Sequence, residues 1–86
     1  LLGIHPNPIT PGQSLMIEGA QLEHLAHVEL YDLRGVRIWK HFLFEQRADQ
    51  YQLPIIPVES GHYQLRLFLD GQTIISMPLV VTGSQW

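Results

Sequence analysis

The fold of this chain is decided by the stretch VELYDLRGVRIW at residues 28–39, which is typical of two strands joined by a short turn. Val28 and Leu30 alternate with Glu29 and Tyr31, the period of a strand with one buried face. Asp32 and Gly35 bracket the turn, because aspartate accepts hydrogen bonds from nearby backbone amides and glycine tolerates positive φ. The stretch therefore predicts a β-hairpin.

Upstream of this hairpin the sequence predicts two short extended segments. Pro6-Asn7-Pro8 can make only an edge contact, because neither proline has a backbone donor. A turn signal at Thr10–Gln13 leads into a brief strand around residues 15–18. Residues 21–26 fit either a loop or one helical turn.

Downstream the pattern gives three more strands. A short one covers residues 51–53, and a long one runs from His62 to Leu69 with its leucines on one face. Asp70-Gly71 is a favoured two-residue hairpin turn. The last strand runs from 72 to 81 and carries Pro78 on its outward side, which predicts an edge strand or a bulge.

These elements add up to about seven short strands with no long helix and no βαβ alternation. We therefore predict an all-β fold, an Ig-like antiparallel β-sandwich, formed by residues 1–86 as a single domain. Gly61 and Tyr63 at the start of the sixth strand suit a tyrosine corner. The strand at 36–44 is apolar on both parities, so its register stays open.

Composition argues against cysteine-based chemistry and against nucleic-acid binding. The 86 residues contain no cysteine, which removes disulfides and thiolate chemistry. The formal charge is −3 and the pI is near 5.9, and five Lys and Arg residues scattered along the chain predict no basic stripe, so we expect no nucleic-acid partner.

Candidate chemistry is sparse. His24 and His27 have a spacing that allows zinc binding on a helix, with Glu23 or His41 as a third ligand, but no HExxH motif is present and exposed histidines are the favoured interpretation. No nucleophile motif surrounds Ser60. We expect no enzyme activity, no catalytic residue, no metal site and no cofactor.

Exposed aromatic residues are the remaining candidates for binding. Trp39, Phe68 and Tyr31 are predicted to project from the strand faces opposite the core, where they would form a sugar-stacking or protein-docking patch. The alternative is a second buried layer or a contact with a neighbouring domain. Trp86 ends a short polar tail that is either frayed or a recognition end.

Four motifs occur in order along nearly the whole chain: the opening Pro-Asn-Pro, the VELYDLxG stretch, Gly-x-Tyr-x-Leu-x-Leu and a final Leu-Val-Val. Together they resemble the C-terminal sorting domain (type A) of proteins exported by the type IX (Por) secretion system of Bacteroidota. The residues that match as recognition motifs are Pro6, Asn7, Pro8, Asp32, Gly35, Gly61, Tyr63, Leu79, Val80 and Val81.

The resemblance implies a protein-secretion signal at the C-terminus of a larger protein, consistent with a chain that starts at Leu1. Such a domain crosses the periplasm and is recognised by the outer-membrane translocon. A surface sortase then removes it and the attachment complex joins the cargo to anionic lipopolysaccharide. The implied location is the outer-membrane surface or the extracellular space.

The chain departs from the family pattern near its end. Met77-Pro78 stands where a lysine is usual, and a tail to Trp86 follows the last apolar run. This departure leaves a first alternative, a retained domain of a surface component of the secretion or attachment complex that docks protein partners or anionic lipopolysaccharide. The second alternative is an accessory carbohydrate-binding module that uses Trp39 and Phe68.

Overall fold

The computed structural model describes residues 2–43, 49–70 and 73–83. Within these ranges the chain forms seven β-strands and one 3₁₀ helix. The strands are β1 (Gly3–His5), β2 (Met16–Glu18), β3 (Leu25–Tyr31), β4 (Arg37–Phe42), β5 (Gln50–Gln52), β6 (Gly61–Leu69) and β7 (Ile74–Val81). The 3₁₀ helix, Ala20–His24, directly precedes β3.

The strands form two antiparallel sheets that pack face to face. One sheet has three strands in the order β1-β2-β5, and the other has four in the order β4-β3-β6-β7. Each sheet takes strands from both halves of the chain, as Ig-like sandwiches do. The predicted all-β, Ig-like sandwich is therefore confirmed.

The core lies between the two sheets and is aliphatic. Val28 and Leu30 of β3 and Leu65 and Leu67 of β6 are all 0% exposed, which confirms the predicted alternation of these strands. Other described side chains buried to a similar degree are Leu15, Ile17, Leu22, Leu25, Leu53 and Leu79. No buried side-chain nitrogen or oxygen of the described residues lacks a hydrogen-bond partner.

The turn between β3 and β4 has the chemistry that the sequence predicts. Asp32 Oδ1 accepts hydrogen bonds from the backbone N–H of Arg34 at 2.9 Å and of Val36 at 3.0 Å. Gly35 has a φ of 86° and donates its N–H to the Asp32 carbonyl. Hydrogen bonds from the Arg34 side chain and then from the Val36 backbone lower the pKa of Asp32.

A second predicted feature, the tyrosine corner, is also present. The Tyr63 hydroxyl donates to the backbone carbonyl of Glu59 at 2.6 Å, which ties the start of β6 to the connection that precedes it. Burial, followed by the nearby carboxylates of Glu59 and Asp32, raises the pKa of Tyr63. The hydroxyl therefore stays protonated and able to donate.

Two further predictions concern the segment before β3 and the hairpin between β6 and β7. One helical turn, a predicted option for residues 21–26, is present as the 3₁₀ helix, although Leu25 already begins β3. Leu69 N–H donates to the Thr73 carbonyl at 2.8 Å and Phe68 is opposite Ile74, so three residues separate the paired positions and the predicted two-residue turn is wrong. The predicted turn residue Gly71 itself lies outside the described residues. None of the described residues belongs to a helix long and apolar enough to span a membrane.

Candidate functional site

The opening motif of the chain lies against its last strand. The Asn7 side-chain amide donates Nδ2–H to the Pro78 carbonyl at 2.9 Å, and Asn7 Oδ1 accepts the Val80 N–H at 3.1 Å. These partners are 71 and 73 residues away in sequence. The predicted edge contact of Pro6-Asn7-Pro8 is thus confirmed, and its partner is β7.

Backbone bonds extend this contact by a few residues. Ile9 N–H donates to the Val80 carbonyl at 2.9 Å, and Thr82 N–H donates to the Ile9 carbonyl at 2.8 Å. Ile9 and Val81 form a parallel bridge. We call the surface made by residues 6–9 and 78–82 the motif edge.

The ten motif residues divide by their surroundings. Asp32 and Gly35 build the turn, and Gly61 and Tyr63 start β6 at the corner, so all four have local structural roles. Leu79 and Val81 are buried in the core. The motif residues that reach solvent at one continuous surface are those of the motif edge: Pro6, Asn7, Pro8 and Val80.

The predicted docking aromatics do not form one patch. Trp39 is opposite Leu30 in the register of β4 and β3 and packs against the core, so its predicted outward placement is wrong. It stacks on His41 with ring centroids 5.9 Å apart, and His41 Nε2 lies 3.0 Å from the Tyr51 hydroxyl. Trp39 thus closes the β4–β5 side of the sandwich.

Phe68 and Tyr31 do lie on the outward side of the four-stranded sheet, as predicted. The Phe68 ring stacks on His27 at 4.3 Å and 10°, so one of its faces is covered. Trp86, the remaining predicted docking residue, lies outside the described residues. The aromatic rings of Phe and Tyr on this outward surface, among the described residues, are therefore those of Phe68, Tyr31 and Phe42, and Phe42 also contacts His27 with ring centroids 5.3 Å apart.

We call the outward surface of the four-stranded sheet the outer face. The register of the strands arranges its side chains in rows that cross the sheet. One row is apolar and aromatic and contains Phe42, His27, Phe68 and Ile74. The next row is polar and contains Lys40, Glu29, Arg66 and Ser76. Tyr31 lies in a third row, paired with Arg37 and Gln64.

Glu29 is at the centre of the outer face, and its side chain is 8% exposed. It accepts a hydrogen bond from the Tyr31 hydroxyl, and its Oε2 lies 3.3 Å from His27 Nε2, 3.5 Å from Arg37 Nη1 and 3.8 Å from Lys40 Nζ. Burial raises the pKa of this carboxyl, but the Tyr31 hydrogen bond and the charges of Arg37, His27 and Lys40 outweigh burial and lower it below 4.5. Glu29 is therefore an anion at neutral pH.

Arg66 is held on the same surface by an aromatic ring. Its guanidinium carbon lies 4.1 Å from the centroid of the Tyr31 ring, a cation–π contact. The Tyr31 hydroxyl is in turn fixed by Glu29, and this hydrogen bond, ahead of burial, raises the pKa of Tyr31. In the described part of the chain no carboxylate pairs with Arg66.

The outer face was not foreseen from the sequence. The five Lys and Arg residues were expected to be scattered, yet three of them, Arg37, Lys40 and Arg66, meet around Glu29. Parity alone puts Lys40 and Arg66 on outward positions. They come close to Glu29 only through the register of three strands, and no local sequence pattern predicts that register.

The histidine pair considered for zinc is separated. His24 ends the 3₁₀ helix with its Nε2 3.5 Å from Glu23, whereas His27 lies in β3 between Glu29 and Phe68. In residues 2–43, 49–70 and 73–83, no group of three or more His, Cys, Asp or Glu side chains has a geometry that would hold a metal ion.

No protein-family model matches the chain, and no curated protein sequence matches it.

Proposed function

We propose that this domain is a non-enzymatic C-terminal sorting domain, an address that the type IX translocon recognises by the shape and side chains of the motif edge. In this proposal the sandwich is a rigid support for that edge. The surface sortase and the attachment complex act after the translocon has bound. The translocon, the sortase and the attachment complex are then the protein partners of the domain.

One observation carries the proposal. The first and last of the four ordered motifs are far apart in sequence, and Asn7 joins them through two hydrogen bonds to β7. Motifs that had only local turn or strand roles would not need to meet. Their meeting creates a continuous, partly exposed surface in which Pro6, Pro8 and Pro78 fix the backbone.

The test fuses the domain to the C-terminus of a secreted reporter in a bacterium that has the type IX system. Surface display of the reporter is measured for the parent domain and for Asn7→Ala. The substitution removes both side-chain bonds to β7, so we expect display to fall. Loss of two exposed hydrogen bonds should cost about 1 kcal/mol, and the domain should stay folded.

Gln13→Ala is the matched control. Gln13 is also an amide in the opening segment, but its Oε1 accepts from the Thr10 N–H at 3.0 Å and the Thr10 hydroxyl at 3.2 Å, so its hydrogen bonds are local. Display should survive this change. Undiminished display of Asn7→Ala, or of a chain that lacks Met77–Trp86, would contradict the proposal.

The retained domain is the second candidate, and the end of β7 favours it. Met77-Pro78 replaces the usual lysine, and the Pro78 carbonyl is occupied by Asn7. Cleavage is read by immunoblot of surface protein with an antibody against the domain. A band at the full-length mass supports retention and docking of protein partners, whereas a band shortened by the domain supports a processed signal.

A further inference from the structure

The outer face has a charge that differs in sign from the charge of the chain. Arg37, Lys40 and Arg66 face one carboxylate, Glu29, and leave two positive charges on a domain whose formal charge is −3. Among the outward positions of the described strands of this sheet, Glu29 is the one carboxylate. A positive surface on an acidic domain is complementary to an anionic partner.

Arg66 is the residue best prepared to bind such a partner. Arg37 and Lys40 already share Glu29, but Arg66 pairs with no carboxylate in the described residues. Its guanidinium is positioned by the Tyr31 ring at 4.1 Å. A guanidinium oriented in advance can bind a carboxylate through two parallel hydrogen bonds with a smaller loss of side-chain entropy.

The row beside Arg66 supplies an apolar contact. Phe42 is 47% exposed and Ile74 is 53% exposed, at opposite ends of the row that contains Phe68. Rows of a sheet that lie two residues apart along a strand are separated by about 6.6 Å, the same distance as side chains i and i+2 of an extended peptide. A peptide aligned with the strands would place an apolar side chain over Phe68 and a carboxylate over Arg66.

Glycans and nucleic acids fit this surface less well. Sugars stack on free aromatic faces, but Phe68 is covered by His27 and the Phe42 ring has Lys40 Nζ 4.6 Å above it. Nucleic acids need several phosphate contacts, and two surplus charges supply few.

We propose that the outer face binds an extended acidic peptide segment of a partner protein, in which an apolar residue and an acidic residue lie two positions apart on one face and one carboxylate binds Arg66. The binding site uses the rows of Phe68 and Arg66 and no residue of the motif edge, so it does not depend on the proposed sorting function. The contacts are a salt bridge to Arg66, long-range attraction from Arg37 and Lys40, and apolar packing on Phe42, Phe68 and Ile74.

The test uses a fluorescein-labelled peptide of the repeat Leu-Ser-Glu-Ser, in which leucine and glutamate lie two residues apart on one face of the extended chain. A matched peptide has glutamine in place of each glutamate. Fluorescence anisotropy at low ionic strength should show binding of the glutamate peptide, weaker binding at high salt, and little binding of the glutamine peptide. Arg66→Gln should weaken binding about tenfold, since a charge-assisted hydrogen bond contributes that much. Arg66→Lys should recover part of the affinity.

Arg34→Gln is the matched control, because Arg34 is a cation on the turn that is already paired with Asp32 at 2.8 Å. Its affinity should equal that of the parent. Equal binding of the two peptides, or an Arg66→Gln variant that is folded and binds as the parent does, would overturn the proposal. Stronger binding of an anionic polysaccharide than of the glutamate peptide would also overturn it, because the face would then bind a glycan. Self-association of the domain that Arg66→Gln abolishes would overturn it as well, because the face would then bind a second copy of the chain.

Discussion

The two faces of the four-stranded sheet are built from the same strands by different physical means. On the inner face, Val28, Leu30, Leu65 and Leu67 exclude water completely, and their attraction is non-directional and proportional to buried area. On the outer face, each contact of Glu29 is directed and has a named partner. We therefore expect the inner face to determine whether the domain folds, and the outer face to tolerate substitution without loss of the fold.

The largest effect should come from the inner face. Leu67→Ala removes a fully buried side chain and leaves a cavity, so we expect the free energy of unfolding to fall by about 3 kcal/mol. In an 86-residue domain this is a large part of the total stability. Urea denaturation measures it, and Ile74→Ala on the exposed end of the outer face is the control. Equal losses for the two variants would remove the distinction between the faces.

Glu29→Gln tests the most buried polar group of the outer face. It keeps the shape but removes the charge that Arg37 and Lys40 share, so a loss of about 1–2 kcal/mol is expected at neutral pH. The loss is modest because Glu29 is covered by surrounding side chains and not by a second protein layer, so solvent still screens the charges. A loss as large as that of Leu67→Ala would show that the outer face also determines folding.

The same carboxylate should give the domain a pH dependence. The pKa of Glu29 is lower in the folded state than its ordinary value of 4.5, so its contribution is present above that value and is lost as pH falls through the folded pKa. The difference in stability between the parent and Glu29→Gln should therefore shrink as pH falls below about 4.5. Denaturation midpoints across the acid range measure it, and a constant difference would contradict the assignment.

Tyr63→Phe tests the hydrogen bond made by the Tyr63 side chain at the start of β6, whose neighbouring inward residues are leucines. The variant loses the bond to the Glu59 carbonyl but keeps the ring, and because that bond is exposed the expected cost is about 1 kcal/mol. Thermal unfolding should show a decrease of about 4–8 °C in Tm. An unchanged Tm would mean that the corner bond contributes nothing to stability.

The smallest effect on stability is expected for Arg66→Gln. Its guanidinium contacts the Tyr31 ring and pairs with no carboxylate of the described residues, so the free energy of unfolding should fall by only about 0.5 kcal/mol, the contribution of a surface cation–π contact. The same variant should lose peptide binding. Loss of binding without loss of stability is the result that best separates a binding face from a structural one.

The inner face could be predicted from the sequence because strand alternation is local. The buried parity of β3 and β6, the Asp32–Gly35 turn and the Tyr63 corner all depend on residues a few positions apart. Trp39 could not be placed, because its strand is apolar on both parities. The register shift between Leu30 and Tyr31 leaves Trp39 opposite Leu30 and turns it to the core.

The outer face and the motif edge could not be predicted for a different reason. Glu29 meets Lys40 and Arg66 only after three strands have adopted one register, and Asn7 meets Pro78 only when the first and last segments of the chain come together. Both contacts are consequences of the complete topology. Local composition at these positions is ordinary for exposed residues of a sheet.

The Asn7 contact also bears on how the domain behaves at high concentration. An edge strand with unsatisfied backbone groups is a template on which another chain can polymerise. At Pro78 there is no N–H to offer, and the carboxamide of Asn7 occupies the Pro78 carbonyl and the Val80 N–H as a peptide group of a neighbouring strand would. At this position the Asn7 side chain satisfies backbone groups that could otherwise pair with a strand of another molecule.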